Sequence, residues 1–304
     1  MSFSYECKNE IMDSSNFDNC CLSSHLYGFL CFFPRVSSTN LSYSSENPDI
    51  IKYLLDLFSL NGIGITNDMV QKGKKVYSIK CDDPDICERV LSDYFSINGR
   101  LQIRINRDHF LCHNCIKAFT AGAFLAAGIV TEPQKGYHLE FTTHRANVAS
   151  DFSALLNEND FNMKESVRGY DHLIYVKDSE TIEDLLTYIG APNSSMKMME
   201  AKIVRSVRNK VTRRVNCENA NMNKAVSAAY KDIELINQLF KHGGRKLLSK
   251  DLLKVADMRK KYPELNLNEL ADMTEEGLTK SGISHRLRKI RSIANDYLNG
   301  NEQD

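Results

Sequence analysis

The chain has 304 residues, with 39 Lys and Arg balanced by 39 Asp and Glu, nine Cys and no Trp. That length carries two or three domains of ordinary size; no apolar run reaches the roughly 18 to 20 residues of a membrane span, and the opening residues Met1-Ser2-Phe3-Ser4-Tyr5-Glu6 lack the basic and apolar regions of a secretory signal. A cytoplasmic protein with no membrane partner is expected, and an odd, irregularly spaced set of cysteines fits reduced thiols rather than a disulfide framework.

The zero net charge conceals a division. Residues 1–195 hold 17 Lys and Arg against 25 Asp and Glu, net −8, and residues 196–304 hold 22 against 14, net +8. An acidic front and a basic back are expected where one part contacts nucleic acid and the other does not. A solvated basic helical surface carries the same sign, so a motif must decide between the two.

In chain order, apolar spacing and Asn, Gly and Pro breakers predict helix 23–33, strand 40–44, helix 48–60, strand 75–81 and helix 85–95. The order then repeats as helix 117–130, strand 136–143, helix 146–157, strand 172–178 and helix 181–189. Leu41-Ser42-Tyr43-Ser44 aligns with Leu139-Glu140-Phe141-Thr142, and Tyr77-Ser78-Ile79-Lys80-Cys81 with Ile174-Tyr175-Val176-Lys177-Asp178. This self-similarity predicts a duplicated α+β domain over residues 1–192, with repeats at about 20–105 and 112–190. Its seam is expected at the apolar run Thr120 to Val130, where Gly122 and Ala126 would form a narrow helix face. The related run Leu26-Tyr27-Gly28-Phe29-Leu30-Cys31-Phe32-Phe33 is the expected pseudo-symmetric partner.

Gly190-Ala191-Pro192-Asn193 reads as a hinge. An all-α linker, 193–244, follows: Met199, Ile203, Val207, Val211 and Val215 step by four along a long basic helix, which is expected to break at 216–223, where Asn216, Asn219, Asn221 and Asn223 cluster with Cys217. A second helix, 224–241, ends at Gly243-Gly244. Residues 245–304 give helices 249–261, 267–273 and 279–295. In the last, Ile283, Leu287 and Ile290 share one face, and Ser281, Ser284, His285 and Arg288 the opposite one, flanked by Lys280, Lys289 and Arg291.

A short helix followed by a basic, hydroxyl-bearing helix is a helix-turn-helix pattern, so Lys280, Ser281, Gly282, Ser284, His285, Arg286, Arg288, Lys289 and Arg291 are the expected contacts to double-stranded DNA. Small residues at the helix start allow close approach. Arg205, Arg208, Arg213, Arg214, Asn216, Asn221 and Lys224 form a secondary cluster, suited to phosphate contact or to a lever between domains. Cys112-His113-Asn114-Cys115, three residues after His109, has the spacing of half a zinc site. Cys20-Cys21 would complete it only if the seam brings both helix starts together, so the expectation is buried thiols, with no metal and no cofactor.

Ala118-Phe119-Thr120-Ala121-Gly122-Ala123-Phe124-Leu125-Ala126-Ala127-Gly128, followed by Gly136-Tyr137-His138-Leu139-Glu140-Phe141, resembles the bacterial WhiA regulators. Val215-Asn216-Cys217-Glu218-Asn219-Ala220-Asn221 and Thr279-Lys280-Ser281-Gly282-Ile283-Ser284-His285-Arg286-Leu287-Arg288 do so as well. The resemblance covers nearly the whole chain and is weakest before about residue 100. It implies a degenerate LAGLIDADG homing-endonuclease-like domain and a C-terminal helix-turn-helix, with a role in sporulation transcription or in cell division and nucleoid organisation. Active endonucleases of that fold carry acids at the sixth and eighth motif positions. Leu125 and Ala127 stand there, and Tyr27 to Phe32 offer no acid, so the resemblance implies no nuclease activity. Two rival readings are a metal-dependent nuclease and an adaptor whose N-terminal domain recruits a sigma factor or division protein. In the first repeat, Cys31-Phe32-Phe33-Pro34 departs from the small residues of the pattern, and Pro34 is expected to end that helix early.

Overall fold

A computed structural model describes residues 2–15, 17–65, 70–72, 76–274 and 277–300. It divides into two compact units, Met1–Arg205 and Ser206–Asp304.

The first unit opens on α1 (Phe3–Ser14), which buries Phe3, Cys7 and Ile11 at four-residue spacing. No helical stripe stands out there in the sequence, because those three positions are diluted by Ser, Glu, Lys and Asn. The first repeat is α2 (Asn19–Cys31), the hairpin β1 (Arg35–Ser37) and β2 (Asn40–Ser45), α3 (Pro48–Leu60), β3 (Val70–Lys72) with β4 (Val76–Cys81), and α4 (Pro84–Phe95). A ribbon of β5 (Ser96–Ile97) and β6 (Arg100–Leu101) precedes the second repeat. This runs α5 (His113–Ala127), β7 (Gly128–Val130), β8 (Leu139–Thr143), α6 (Ala146–Asn157), β9 (Lys164–Arg168), β10 (Asp171–Val176) and α7 (Ser179–Tyr188). Both antiparallel sheets have the same order, β1-β2-β4-β3 and β7-β8-β10-β9, so the duplication expected from the sequence holds at the level of topology.

Each strand expected singly is the inner member of a hairpin, and the outer members were missed for physical reasons. All five residues of β9 are exposed and several are charged, as suits an edge strand without an apolar face. β7 continues directly from α5, so the helix expected over 117–130 stops at Ala127 and its last three residues are strand. The expected start of one strand, Lys75, lies outside the described residues. Local signals set the helix starts: Asn47 and Asp83 accept backbone N–H bonds ahead of Pro48 and Pro84, and Asp178 does the same for α7.

The helices α2 and α5 pack backbone to backbone. A Cβ on Gly28 would lie 2.0 Å from the Phe119 carbonyl oxygen, and one on Gly122 would lie 2.0 Å from that of His25. The two contacts exchange the repeats, as a pseudo-twofold axis requires. Gly122 and the partner run through Gly28 are thus placed as expected, whereas Ala126, expected on the same narrow face, is only half-buried. Beside the crossing, the buried His25 holds both repeats together: Nδ1 donates to the Ala118 carbonyl at 2.8 Å, and the Tyr53 hydroxyl lies 3.0 Å from Nε2.

The long helix α8 (Pro192–Lys241) begins in the first unit, and its start is held rather than hinged. The Glu10 carboxylate accepts the Asn193 and Ser194 backbone N–H groups at 2.6 and 2.9 Å and the Ser194 hydroxyl at 2.7 Å, while Ser14 Oγ donates to the Gly190 carbonyl. The break expected at 216–223 is absent: α8 is continuous through the asparagines. All four asparagines are exposed, and the modest helix penalty of a solvent-facing Asn does not interrupt a run supported by Ala220, Met222 and the Arg214–Glu218 pair at 3.0 Å. Met199, Ile203, Val207, Val211 and Val215 keep their four-residue step, with every member at the surface.

Two stability outcomes follow from the crossing. Gly28→Ala and Gly122→Ala each force apart helix backbones that have no flexible group to yield, and lower stability by about 2 to 4 kcal/mol despite alanine's better helix propensity, measured by thermal or denaturant unfolding. Burial pushes His25 down to about 4, and burial lowers His109 as well. The unfolded chain therefore takes up protons below about pH 6.5 that the native state refuses until about 4, so stability falls with falling pH across that window, by about 2 kcal/mol at pH 5 for His25. A melting series from pH 7 to 5 shows the decline, and His25→Gln flattens it.

Candidate nucleic-acid interface

In the second unit, α9 (Lys250–Lys261), α10 (Leu267–Asp272) and α11 (Lys280–Gly300) follow the end of α8. Leu252, Val255 and Ala256 of α9 and Ile283, Leu287, Ile290 and Ala294 of α11 share one core with Ile236 and Leu239 of α8. The apolar stripe of α11 fixes its rotation, and hence which residues it turns outward. Local capping fixes its position. Asn266 and Glu269 form a reciprocal capping box at the start of α10. Thr274 Oγ accepts the Leu278 N–H at 3.0 Å in the turn, and Thr279 Oγ accepts that of Gly282 at 3.2 Å in the first turn of α11.

The outward residues of α11 are Lys280, Ser281, His285, Arg288 and Lys289, all exposed, while Gly282, Ser284 and Arg286 are half-buried at the edges. A Cβ on Gly282 would meet nothing closer than 3.6 Å, so the fold does not require glycine there. Arg291 has a different task. Its guanidinium makes two hydrogen bonds to the carboxylate of Asp232 on α8, a side chain only 5% exposed, with Nη2 to Oδ2 at 2.9 Å. This Arg fork ties α11 to α8, and Asp232 carried no signal in the sequence because its partner lies 59 residues away.

The secondary cluster separates in the same way. In the first unit, Arg205 donates to the Pro133 and Gln134 carbonyls at 3.1 and 2.9 Å and stacks 4.8 Å from the Tyr137 ring centre, so it is a packing residue. In the second unit, Arg208, Arg213, Asn216 and Lys224 are exposed, Arg214 pairs with Glu218, and Asn221 contacts Cys217. A cleft of about 520 Å³ between α8 and the short helices brings Asn221 together with Lys280 and Arg291, beside Asn268 and Glu269.

The carboxyl end of the α2–α5 pair is where the resemblance puts the metal site of cutting relatives. The hollow there is lined by Phe33, Tyr43, Ala127, Thr143 and Arg145 among others, with no carboxylate among its described lining residues. Cations occupy the helix ends. Lys8 Nζ donates to the Leu125 carbonyl at 3.0 Å, and Arg145 Nη1 donates to those of Phe33 and Cys31 at 2.5 and 3.4 Å. Burial lowers the Lys8 ammonium to about 8 and lowers the Arg145 guanidinium too, the cost of holding charge in the interior. Neither cation stood out in the sequence.

Comparison with known proteins agrees with this division. Residues 116–208 match the WhiA LAGLIDADG-like domain, and residues 211–294 match the WhiA C-terminal HTH domain. A probable cell division protein WhiA from Clostridium botulinum (strain Hall) is 33% identical over 318 aligned positions, covering 99% of this chain and 100% of that protein. One from Thermoanaerobacter sp. (strain X514) is 34% identical over 269, covering 84% and 83%. Among solved structures, full-length WhiA from Thermotoga maritima superposes with a TM-score of 0.61 at 23% identity, over 97% of this chain and 99% of that one. The isolated N-terminal LAGLIDADG domain of a WhiA superposes at 0.51 and 19%, over 62% and 92%.

Substitutions separate the two kinds of arginine. Arg291→Ala leaves the buried Asp232 unpaired and lowers the stability of the second unit by about 2 kcal/mol, reduced from the fully buried case because Arg291 is itself half exposed. Arg288→Ala shifts the same unfolding transition by less than about 0.5 kcal/mol, and Gly282→Ala raises it by about 0.5 to 1 kcal/mol. Urea unfolding of the three variants measures all of these.

Proposed function

The chain belongs to the WhiA family, and from that premise we propose that it is a non-enzymatic, sequence-specific DNA-binding regulator, acting on transcription tied to cell division or sporulation and associated with the nucleoid. The carrying observation is the outer face of α11: Ser281, His285, Arg288 and Lys289 are turned to solvent, uncommitted to the core that positions them. Hydroxyls, an imidazole and a guanidinium on one helix face are the donors and acceptors that read base edges in a major groove, and Lys280 and Lys289 suit phosphates. Arg286 and Ser284 border that face, and Gly282 keeps its start narrow. Arg208, Arg213, Asn216 and Lys224 of α8 extend the basic surface, while Arg291 and Arg205 act through the fold.

The absence of nuclease chemistry is part of the proposal. Leu125 and Ala127 provide no hard oxygen ligand from their side chains, and Lys8 and Arg145 place positive charge where a divalent cation would need negative charge. The acidic front supports protein contact, with a sigma factor or division protein as partner, rather than phosphate contact.

Duplex binding measured against salt tests the main reading. The wild type binds a genomic duplex pool at low salt, and Arg288→Ala and Lys289→Ala each weaken binding, the phosphate-contacting substitution lowering the log–log salt slope by about 1. Full binding by the Arg288→Ala, Lys289→Ala double variant would remove α11 as the interface. Supercoiled plasmid incubated with Mg²⁺ or Mn²⁺ stays uncut, and nicked product would overturn the non-enzymatic reading.

A further inference from the structure

The amino ends of the same helix pair carry a different chemistry. Cys20 and Cys21 lie in the first turn of α2, Cys112 is the N-cap of α5, and Cys115 lies in the first turn of α5. Although 91 residues separate Cys21 from Cys112 in sequence, the Sγ atoms of all four lie within 4.8 Å of one another. Cys112 stands 3.7 Å from Cys20, 3.4 Å from Cys21 and 3.5 Å from Cys115. The condition set by the sequence, that the seam brings both helix starts together, is met.

We propose that Cys20, Cys21, Cys112 and Cys115 form a structural zinc site that clamps the two repeats at the amino end of the seam.

Three physical facts support it. A tetrahedron of sulfurs at the zinc–thiolate bond length of about 2.3 Å has edges of about 3.8 Å, close to the spacings here. Disulfides need sulfurs at about 2.05 Å, and all four cysteines are free thiols. An iron–sulfur cluster spreads its thiolates over several irons, whereas four sulfurs this close share a single ion. The surroundings suit thiolates: both helix dipoles point their positive ends at the cluster, and Phe17, Phe110 and Ala118 shield it. A cation that binds all four sulfurs displaces the thiol protons. Binding releases those protons to solvent, forms four Zn–S bonds and needs no redox partner. With four protein sulfurs the coordination is complete, so the site holds structure and offers no open position for catalysis. His109 is no ligand. Its ring packs 4.6 Å from that of Tyr27 and 5.9 Å from that of Tyr94.

The test uses the full-length chain, purified under reducing conditions without chelator or metal-affinity resin. Elemental analysis is expected to find about one zinc per chain. After removal of the metal, added Co²⁺ is expected to give the strong sulfur-to-cobalt charge-transfer band and the visible bands of a tetrahedral tetrathiolate, and chelation is expected to lower the melting temperature by several degrees. Cys112→Ser with Cys115→Ser abolishes these bands, and Cys217→Ser, changed at an exposed cysteine of α8, keeps them. Should the double variant fail to fold, the wild-type protein still decides. A soluble, reduced, metal-free chain that takes up neither Zn²⁺ nor Co²⁺ would overturn the proposal, as would disulfides among these cysteines in the freshly isolated protein or stoichiometric iron in place of zinc.

Discussion

Everything in the first unit depends on two helices approaching until their backbones touch. Gly28 and Gly122 each face the other helix's carbonyl oxygen at a distance that leaves no room for a methyl group. Such contact aligns the repeats as no looser apolar interface would, because a shift along either helix brings a Cβ against a carbonyl. The large rings then fill the space on either side: Phe119 and Phe152 lie 6.0 Å apart, Phe141 and Phe152 4.8 Å, and Phe29 and Tyr43 5.5 Å, joining the helices to both sheets.

The direction of the pair matters as much as its closeness. α2 and α5 start together at the cysteine cluster and end together at the hollow beside Arg145, so their dipoles run the same way, with two positive ends adjacent and two negative ends adjacent. Each end calls for opposite charge. At the carboxyl ends Lys8 and Arg145 satisfy carbonyls that have no helical partner. At the amino ends the four sulfurs stand where thiolates are favoured. The demand of the carboxyl ends is met here by an ammonium and a guanidinium drawn from α1 and from the residue just before α6.

How much of this was legible follows the range of each interaction. The repeat, the helix at Pro48–Leu60, the glycine seam and the apolar face of α11 were readable because each rests on residues a few positions apart or on a pattern that occurs twice. Edge strands such as Lys164–Arg168 were not, since their pairing supplies backbone bonds without an apolar signature. The asparagine cluster misled for the converse reason: a local preference against helix is real but small, and fifty residues of uninterrupted helix outweigh it. Lys8 on Leu125, Asp232 on Arg291 and Cys20 and Cys21 on Cys112 are pairings across 117, 59 and about 90 residues. Nothing local marks which residue each one meets. The cysteines show the limit best, since the half-motif in α5 was visible but completing it required knowing where the other helix begins.

The basic back is likewise less uniform than its net charge suggests. Arg291 and Arg259 are consumed within the second unit: the first fastens α11 to α8, and the second is buried with three carbonyls, those of Tyr262, Pro263 and Leu265, around one amino group. Arg214 has its own acid in Glu218. Charge counted along the chain therefore overstates what is available to phosphate. Cations used by the fold fix its geometry: a fork of two hydrogen bonds to a buried carboxylate restrains the rotation of a helix more strictly than apolar packing alone. Arg291 and Arg288 are three residues apart on one helix, so the fork that holds the first also sets the direction in which the second faces solvent.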